Sequence, residues 1–101
     1  MYSVLSTKEY LNWFTEQNSK VQGQISARLQ RIIEFGHFGD ARRLGKRLAE
    51  LKWKNGLRIY FSLIQDENGK IILLLIGGNK NSQSNDIHLA KKLLSEISSK
   101  D

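Results

Sequence analysis

The first part of the chain has the apolar spacing of a short strand followed by a helix. Residues 2–5 can form an edge strand, and Ser6 with Glu9 three positions later has the spacing of a helix-capping box. Aromatic residues then recur at helical spacing from Tyr10 to about Gln17. Because stripes with this spacing usually face a core, we expect these rings to pack inside the protein.

A second amphipathic helix is predicted to follow after a short link. Asn18 and Ser19 break the first pattern and can cap a helix whose apolar residues fall on one face, whereas Arg28 and Arg31 fall on the other. Gly36 is expected to end this helix. The next segment, GHFGDARRLGKR, contains three glycines in twelve residues and is predicted to be a loop.

The period of the apolar positions changes to two after Leu48. Two alternating runs separated by Asn55-Gly56 predict a β-hairpin. A third run, KIILLLI, is apolar on both faces, as expected for a covered central strand, and Gly77-Gly78 is expected to end it. Ser82 or Ser84 can then cap a last amphipathic helix. The predicted order is β-α-α-β-β-β-α.

The register of the β-hairpin follows from keeping its apolar side chains on one face. A slip of one residue would turn half of this set to solvent, so the parity of the pairing is fixed. The predicted pairs are Trp53 with Ile59 and Leu51 with Phe61, joined by the connection Asn55-Gly56-Leu57.

This register places three cations and a phenol together on the other face of the hairpin. It predicts Lys54 opposite Arg58 and Lys52 opposite Tyr60. Like charges directly opposite each other destabilise a sheet, so the cluster indicates a bound anion, for which a phosphate backbone is the natural candidate. The alternative is a set of solvated side chains without a function.

Composition and charge narrow the class of protein. With 101 residues and 40% hydrophobic residues, the chain is expected to form a single domain, residues 1–101. Its net charge of +6 favours polyanionic partners. Seven cations fall within 17 residues, opposed there only by Glu50: Arg42, Arg43, Lys46, Arg47, Lys52, Lys54 and Arg58.

Other classes of site are not expected. The chain has no cysteine, and its two histidines, His37 and His88, are 51 positions apart, so we expect neither a metal site nor another cofactor. No secretory signal is visible, and the longest apolar run, residues 71–76, is far shorter than the ~20 residues that span a bilayer. These features predict a cytoplasmic protein without membrane contact.

Two strings carry a resemblance to a known family: FGHFGDARRLGKRLAELKWKNGLRIYF and IILLLIGGNKNSQSNDIHLAKKL. They resemble the Gp49-like, HigB-type "addiction module killer" branch of the RelE/ParE toxin superfamily. That branch has, in this order, a G-N-F-G-D-like loop, an E-L hairpin strand, a G-x-R-x-Y-F strand and an L-L-x-G-G-x-K-x-x-Q-x-x-D-I segment. The resemblance spans about Thr7 to Leu94.

The resemblance implies a RelE-like α+β fold, in which an antiparallel sheet carries an N-terminal helical hairpin and a C-terminal helix. It also implies the toxin of a type II toxin–antitoxin system, a metal-independent endoribonuclease that cleaves mRNA in the ribosomal A site and so inhibits translation. The partners would be the ribosome, mRNA and an antitoxin of the helix-turn-helix type encoded by an adjacent gene.

The resemblance also implies site residues. Those that match its catalytic set are Lys52, Lys54, Arg58, Tyr60 and Lys80. Gln83 and Asp86 match the segment of this branch, and the residues expected to bind RNA are Arg42, Arg43, Lys46, Arg47 and Gln83.

One departure from the family leaves the general acid open. Ribosome-dependent members have a tyrosine or histidine near the start of the last helix, where this chain reads Asp86-Ile87-His88. His88 is therefore a further catalytic candidate, although a position at the core edge or on the surface, without a role in catalysis, is an equal alternative. The general acid stays open between Tyr60, Lys54 and His88.

Two other functions remain alternatives. ParE-type relatives poison DNA gyrase with the same fold, so the fold alone does not decide the target. A non-catalytic nucleic-acid-binding module would explain the basic charge, but no aromatic stacking platform or recognition helix is visible. The cations together with Arg58 and Tyr60 favour the ribonuclease.

Overall fold

The computed structural model describes residues 2–67 and 69–98. In chain order the elements are β1 Tyr2–Ser6, α1 Lys8–Thr15, α2 Ser19–Phe35, β2 Ala41–Arg43, β3 Ala49–Lys52, β4 Leu57–Asp66, β5 Gly69–Asn79, a 3-10 turn Lys80–Ser82 and α3 Gln83–Ser98. The residues Asp66-Glu67-Asn68-Gly69 before the third apolar run predict a turn, and Asn68 in it lies outside the described residues.

The strands form one sheet in the order β1-β5-β4-β3-β2. β1 pairs with β5 in parallel, and the other pairs are antiparallel. Helices α1 and α2 cover one face of the sheet, called the α1/α2 face below, and α3 covers the other, called the α3 face. The α+β fold class is confirmed. The expected loop after α2 is wrong in part, because residues 41–43 form a fifth strand at the sheet edge, too short to show a period of two.

Apolar side chains from both faces of β4 and β5 build two separate cores. On the α1/α2 face, Ile25 and Ile32 of α2 are fully buried against Ile59 and Phe61 of β4. On the α3 face, α3 contributes Ala90 and neighbouring leucines to a second core. The prediction that β5 is a central strand covered on both faces is confirmed.

The helix ends match the sequence signals with one shift at α1. Thr7, not Ser6, is the N-cap of α1, and its hydroxyl accepts a hydrogen bond from the Tyr10 N–H at 2.9 Å. Ser6 is instead the last residue of β1 and pairs with β5. Asn18 caps α2 and Gly36 ends it with a φ of 70°, both as predicted.

The predicted register of the β-hairpin is wrong by two residues. The observed pairs are Ala49 with Phe61, Glu50 with Tyr60, Leu51 with Ile59 and Lys52 with Arg58. The apolar parity was correct, since a shift of two residues keeps every side chain on its face.

Turn geometry explains this shift. The connection is Lys54-Asn55-Gly56, closed by the Trp53 N–H donating to the Leu57 carbonyl at 3.0 Å. Three-residue hairpin loops place a positive φ at their last position, and Gly56 occupies that position with a φ of 97°. In the predicted connection the glycine stood in the middle.

The pair Gly77-Gly78 does not end β5, as was predicted, but continues it to Asn79. A Cβ on Gly77 would overlap the Trp13 ring on the α1/α2 face, and a Cβ on Gly78 would overlap the Asp86 carboxylate on the α3 face. Both residues lack a side chain because another group occupies that space.

The helical pattern predicted that Arg28 points to solvent, and this prediction is wrong. Arg28 is half-buried, and its guanidinium donates to the carbonyls of Phe38 at 3.0 Å, Asp40 at 2.6 Å and Lys52. It also lies over the Trp53 ring at 4.4 Å from the centroid. Arg28 therefore ties α2 to the segment before β2 and to the end of β3.

None of the helices in residues 2–67 and 69–98 is both long and apolar enough to cross a bilayer.

Candidate functional site

A fully buried carboxylate, Glu50 on β3, lies at the centre of the polar groups on the α3 face. Its Oε1 is 3.0 Å from the Arg42 guanidinium on β2, its cross-strand neighbour. Its Oε2 accepts a hydrogen bond from the Gln83 amide at 3.2 Å. Glu50 therefore joins the edge strand, β3 and the start of α3.

Arg58 and Tyr60 of β4 share this face with Glu50. Arg58 lies across from Lys52 on one side and Gly78 on the other, and Tyr60 lies across from Glu50. The Arg58 Nε is buried without an acceptor, and among the described residues no carboxylate lies within ion-pair distance of its guanidinium. This cation therefore has donors and charge available for an anion.

The Tyr60 phenol is completely enclosed. Its ring packs in the α3-face core, and its hydroxyl has no hydrogen-bond partner. Burial first, and then the charges of Glu50 and Asp86, raise the pKa of Tyr60 to about 12, although the charges of Arg58 and Arg42 oppose this shift. The hydroxyl therefore stays protonated at neutral pH and can donate a hydrogen bond. A substrate would reach it only if its cover moved.

Asp86 reaches the sheet because Gly78 has no side chain. Its Oδ2 accepts a hydrogen bond from the Ser82 hydroxyl. The turn before α3 is capped by Asn79, whose side chain accepts from the Asn81 and Ser82 N–H groups. Asn79, and not the predicted Ser82 or Ser84, thus holds the entry of α3, and the half-buried Asp86 lies close enough to Tyr60 to affect its titration.

The structure brings some of the predicted catalytic residues close to Arg58 and places others away from it. Lys52 lies opposite Arg58, not opposite Tyr60, and Lys80 packs its alkyl chain on Gly56 of the hairpin turn. Lys54 lies in that turn, not opposite Arg58, because of the shifted register. His88 is exposed on α3, and no contact joins it to the groups around Glu50.

The predicted RNA-binding residues also differ from one another in their surroundings. Arg42 and Gln83 are both engaged by the Glu50 carboxylate. The three others, Arg43, Lys46 and Arg47, are exposed on β2 and the turn that follows it.

Sequence reasoning missed the central position of Glu50. It named this residue only as the one acidic residue among the seven cations. The signal that could have found it is the apolar character of β5 on both faces, because a sheet covered on both sides buries the polar residues of its neighbouring strands. A buried carboxylate needs a cation, and the neighbouring strand supplies Arg42.

The arrangement is suited to binding an anion next to a carboxylate. Arg58, Lys52 and Lys80 surround the end of the β3–β4 hairpin on the α3 side, and Asp86 lies beside them across Gly78. Across residues 2–67 and 69–98, no three His, Asp or Glu side chains are close enough together to hold a metal ion.

This chain is similar in sequence to a protein of Haemophilus influenzae and similar in fold to solved E. coli toxin structures. The chain matches no known protein-family model. It is 32% identical over 97 residues to an uncharacterized protein of Haemophilus influenzae Rd, covering 93% of this chain and 94% of that protein. The isolated E. coli RelE toxin has a TM-score of 0.64 at 16% identity, covering 78% of this chain and 84% of RelE. A chain of the intact E. coli RelBE toxin–antitoxin complex has a TM-score of 0.62 at 16% identity, covering 78% of this chain and 96% of that one. At this identity the likeness shows a shared fold.

Proposed function

We propose a function for this chain on the premise that it belongs to one family with the uncharacterized Haemophilus influenzae protein and has the fold of the E. coli RelE toxin. The chain is the toxin of a toxin–antitoxin pair and inhibits translation by cleaving mRNA on the ribosome. Its antitoxin is of the helix-turn-helix type and is encoded next to it. The HigB-type sequence motifs and the neighbour solved with its antitoxin support this proposal.

The observation that carries the ribonuclease is the Arg58 guanidinium, which has no ion-pair partner among the described residues and donates only a long hydrogen bond, 3.4 Å, from Nη1 to the Leu57 carbonyl. It is half-buried in the sheet and lies across from Gly78, and the Asp86 carboxylate occupies the space over that glycine. Its enclosed Nε lacks an acceptor. A buried donor left without a partner costs about 1–3 kcal/mol, and a phosphate oxygen would recover this energy.

The cleavage is the attack of a ribose 2′-hydroxyl on the adjacent phosphorus. The O2′–P bond forms and the P–O5′ bond breaks, leaving a 2′,3′-cyclic phosphate and a 5′-hydroxyl. Asp86 takes the 2′-hydroxyl proton, since it is the half-buried carboxylate beside the anion position. An ammonium group, Lys80 or Lys52, donates the proton to the leaving oxygen, and Arg58 stabilises the charge that develops on the phosphate.

Inducible expression with and without the neighbouring gene, followed by mapping of mRNA 5′ ends, tests this function. We expect growth arrest and new mRNA ends only in the absence of the antitoxin. Arg58→Ala should lower cleavage roughly 10²–10³-fold, as expected for loss of a group that stabilises transition-state charge.

The control is Lys92→Ala, which removes an exposed cation from α3 outside the site and should arrest growth like the parent. Melting curves and co-purification with the antitoxin check that Arg58→Ala is folded. Growth arrest with intact mRNA and failing DNA supercoiling would contradict the ribonuclease and favour a gyrase poison.

A further inference from the structure

A second cation-rich groove lies on the opposite side of the sheet from Arg58. It runs between α2 and the β3–β4 hairpin turn and has a volume of about 410 Å³. The residues that decide its chemistry are Gln24, Arg28, Arg31, Trp53 and Lys54. Asp40, at its rim, is the acidic residue among those that line it.

The floor of this groove is rigid and positively charged. Arg28 donates to three main-chain carbonyls and lies 4.4 Å above the Trp53 ring, so its position is fixed. Burial lowers the pKa of Arg28, Asp40 partly offsets this, and the neighbouring Arg31 lowers it again. Both arginines line the same groove, so an anion bound between α2 and the turn would offset the repulsion between their charges.

The walls of the groove supply an anion site and a hydrogen-bond acceptor. Arg31 and Lys54 are exposed, and neither forms an ion pair within the part of the chain that the structure describes. The side-chain oxygen of Gln24 is enclosed without a donor. A ligand that fits this groove therefore carries a negative charge and, beside it, a hydroxyl or amino donor.

The hairpin turn connects this groove with the candidate site. Lys54 lies in the turn and lines the groove. Lys80 approaches the same turn from the α3 side, with its Cγ 3.4 Å from where a Cβ on Gly56 would lie. A polyanionic strand held at Arg58 can therefore continue around the turn without leaving positively charged surface.

We propose that this groove binds the ribose-phosphate backbone of single-stranded RNA, beyond the segment held at Arg58. Arg31 and Lys54 contact phosphates, and the Gln24 side-chain oxygen accepts a hydrogen bond from a 2′-hydroxyl. The groove contributes affinity and RNA-over-DNA preference, and the bond cleavage takes place on the α3 face. The choice of RNA rests on the proposed function.

Binding of a fluorescein-labelled 12-nucleotide RNA, and of DNA with the same sequence, tests the groove without requiring cleavage. The full chain, the double variant R31A/K54A and the charge-matched control K20A/K92A are compared between low and moderate salt. Losing two phosphate contacts should lower the slope of log K against log salt by roughly 1.4 and weaken RNA binding about tenfold or more at low salt. The control should change affinity less than about twofold, because Lys20 and Lys92 lie outside both basic surfaces.

A third variant tests the hydroxyl contact. Q24A should bind RNA and DNA with nearly equal affinity, whereas the parent prefers RNA. An unchanged preference would overturn this contact, and an unchanged salt slope in R31A/K54A would overturn the groove as an RNA site. If R31A/K54A keeps its RNA affinity and loses affinity for its antitoxin, the groove belongs to an acidic protein segment.

The experiments distinguish failure of the groove proposal from failure of the ribonuclease proposal. If Arg58→Ala abolishes mRNA cleavage while R31A/K54A binds RNA like the parent, the proposed function stands and the groove is wrong. If R31A/K54A loses RNA affinity while the parent never cleaves mRNA, the groove stands and the ribonuclease is wrong.

Discussion

The two faces of the sheet are built from the same strands and differ in what they bury. On the α1/α2 face, aliphatic side chains of α2 meet stacked aromatic rings such as Phe38 and Phe61, whose centroids are 5.8 Å apart. On the α3 face, the fully buried residues include Glu50 and Ser62 besides apolar ones. The first face supplies mainly hydrophobic stabilisation, whereas the second also bears the desolvation cost of polar groups.

Side-chain polar atoms that are buried without a hydrogen-bond partner occur on both faces of the sheet, and more of those identified lie on the α3 face. The Tyr60 hydroxyl, the Ser62 hydroxyl and the Arg58 Nε on the α3 face are buried without a partner. The α1/α2 side has the Tyr10 hydroxyl and the Gln24 amide oxygen. Uncompensated polar atoms of this kind are expected where a site waits for a ligand, and both proposed RNA contacts include one.

Truncating a buried side chain on the α1/α2 face should give the largest loss of stability. Ile25→Ala removes a side chain with no exposed surface from the α1/α2 core, and such truncations cost about 2–5 kcal/mol. Urea denaturation measures this as a lower midpoint at an unchanged m-value.

The matched change on the α3 face is Ser62→Ala. It removes a buried hydroxyl that has no partner, so the free energy of unfolding should stay within about 1 kcal/mol of the parent. If Ile25→Ala costs no more than Ser62→Ala, the division of roles between the two faces is wrong.

Substitutions of the adjacent glycines of β5 test the difference between the two faces more sharply, with smaller expected losses of stability. Gly77→Ala drives a methyl group into the Trp13 ring, and overpacking of this kind costs typically about 1–3 kcal/mol. Gly78→Ala meets the Asp86 carboxylate and the Ser82 hydroxyl instead, so it should displace these groups with a smaller loss of stability.

The two variants should therefore separate stability from activity. We expect Gly77→Ala to lower the melting temperature while cleavage by the folded fraction persists, and Gly78→Ala to lower cleavage more than it lowers stability. If Gly78→Ala instead lowered stability more than it lowered cleavage, the position of Asp86 over the sheet would not be required for cleavage.

The sequence allowed the fold to be predicted because most of its signals are local and redundant. Asn18 and Gly36 bound α2 as predicted, since each satisfies main-chain groups at a helix end. The parity of β3 and β4 was also predictable, because one buried face fixes it. Periodicity alone did not identify the pairing partners, and Gly56 at the last position of the turn determined them.

The site was less predictable, because it depends on groups distant in the sequence. Glu50 and Gln83 are 33 positions apart and meet through a side-chain hydrogen bond. The role of Gly78 depends on Asp86, which approaches from a helix that begins after the strand ends. Arg58 was predicted for the site from the hairpin register and the family resemblance, but its opposite neighbour proved to be Lys52 and not Lys54.

The smallest effect at neutral pH, and one that depends on pH, is expected for Tyr60→Phe. This substitution keeps the packed ring and removes a hydroxyl that has no partner, so at pH 7 stability should change by less than about 1 kcal/mol. A tyrosine ionises near pH 10 in the unfolded chain, whereas in the folded protein the pKa of Tyr60 is raised to about 12. Between these values the unfolded chain releases a proton that the folded protein retains, so this contribution is fully present below pH 10 and is lost as the pH rises to about 12.

Tyr10 provides the comparison between the faces, because burial alone raises its pKa to about 12 in the α1/α2 core. Tyr60→Phe and Tyr10→Phe should each reduce the fall in stability between pH 10 and pH 12, as measured by urea midpoints along a pH series. Added salt should alter the Tyr60 contribution more than that of Tyr10, since Glu50 and Asp86 act on Tyr60 through their charges. Equal salt sensitivity of the two variants would mean that these carboxylates do not act on the Tyr60 hydroxyl, and the α3 face would then lack the charged surroundings that distinguish it from the apolar one.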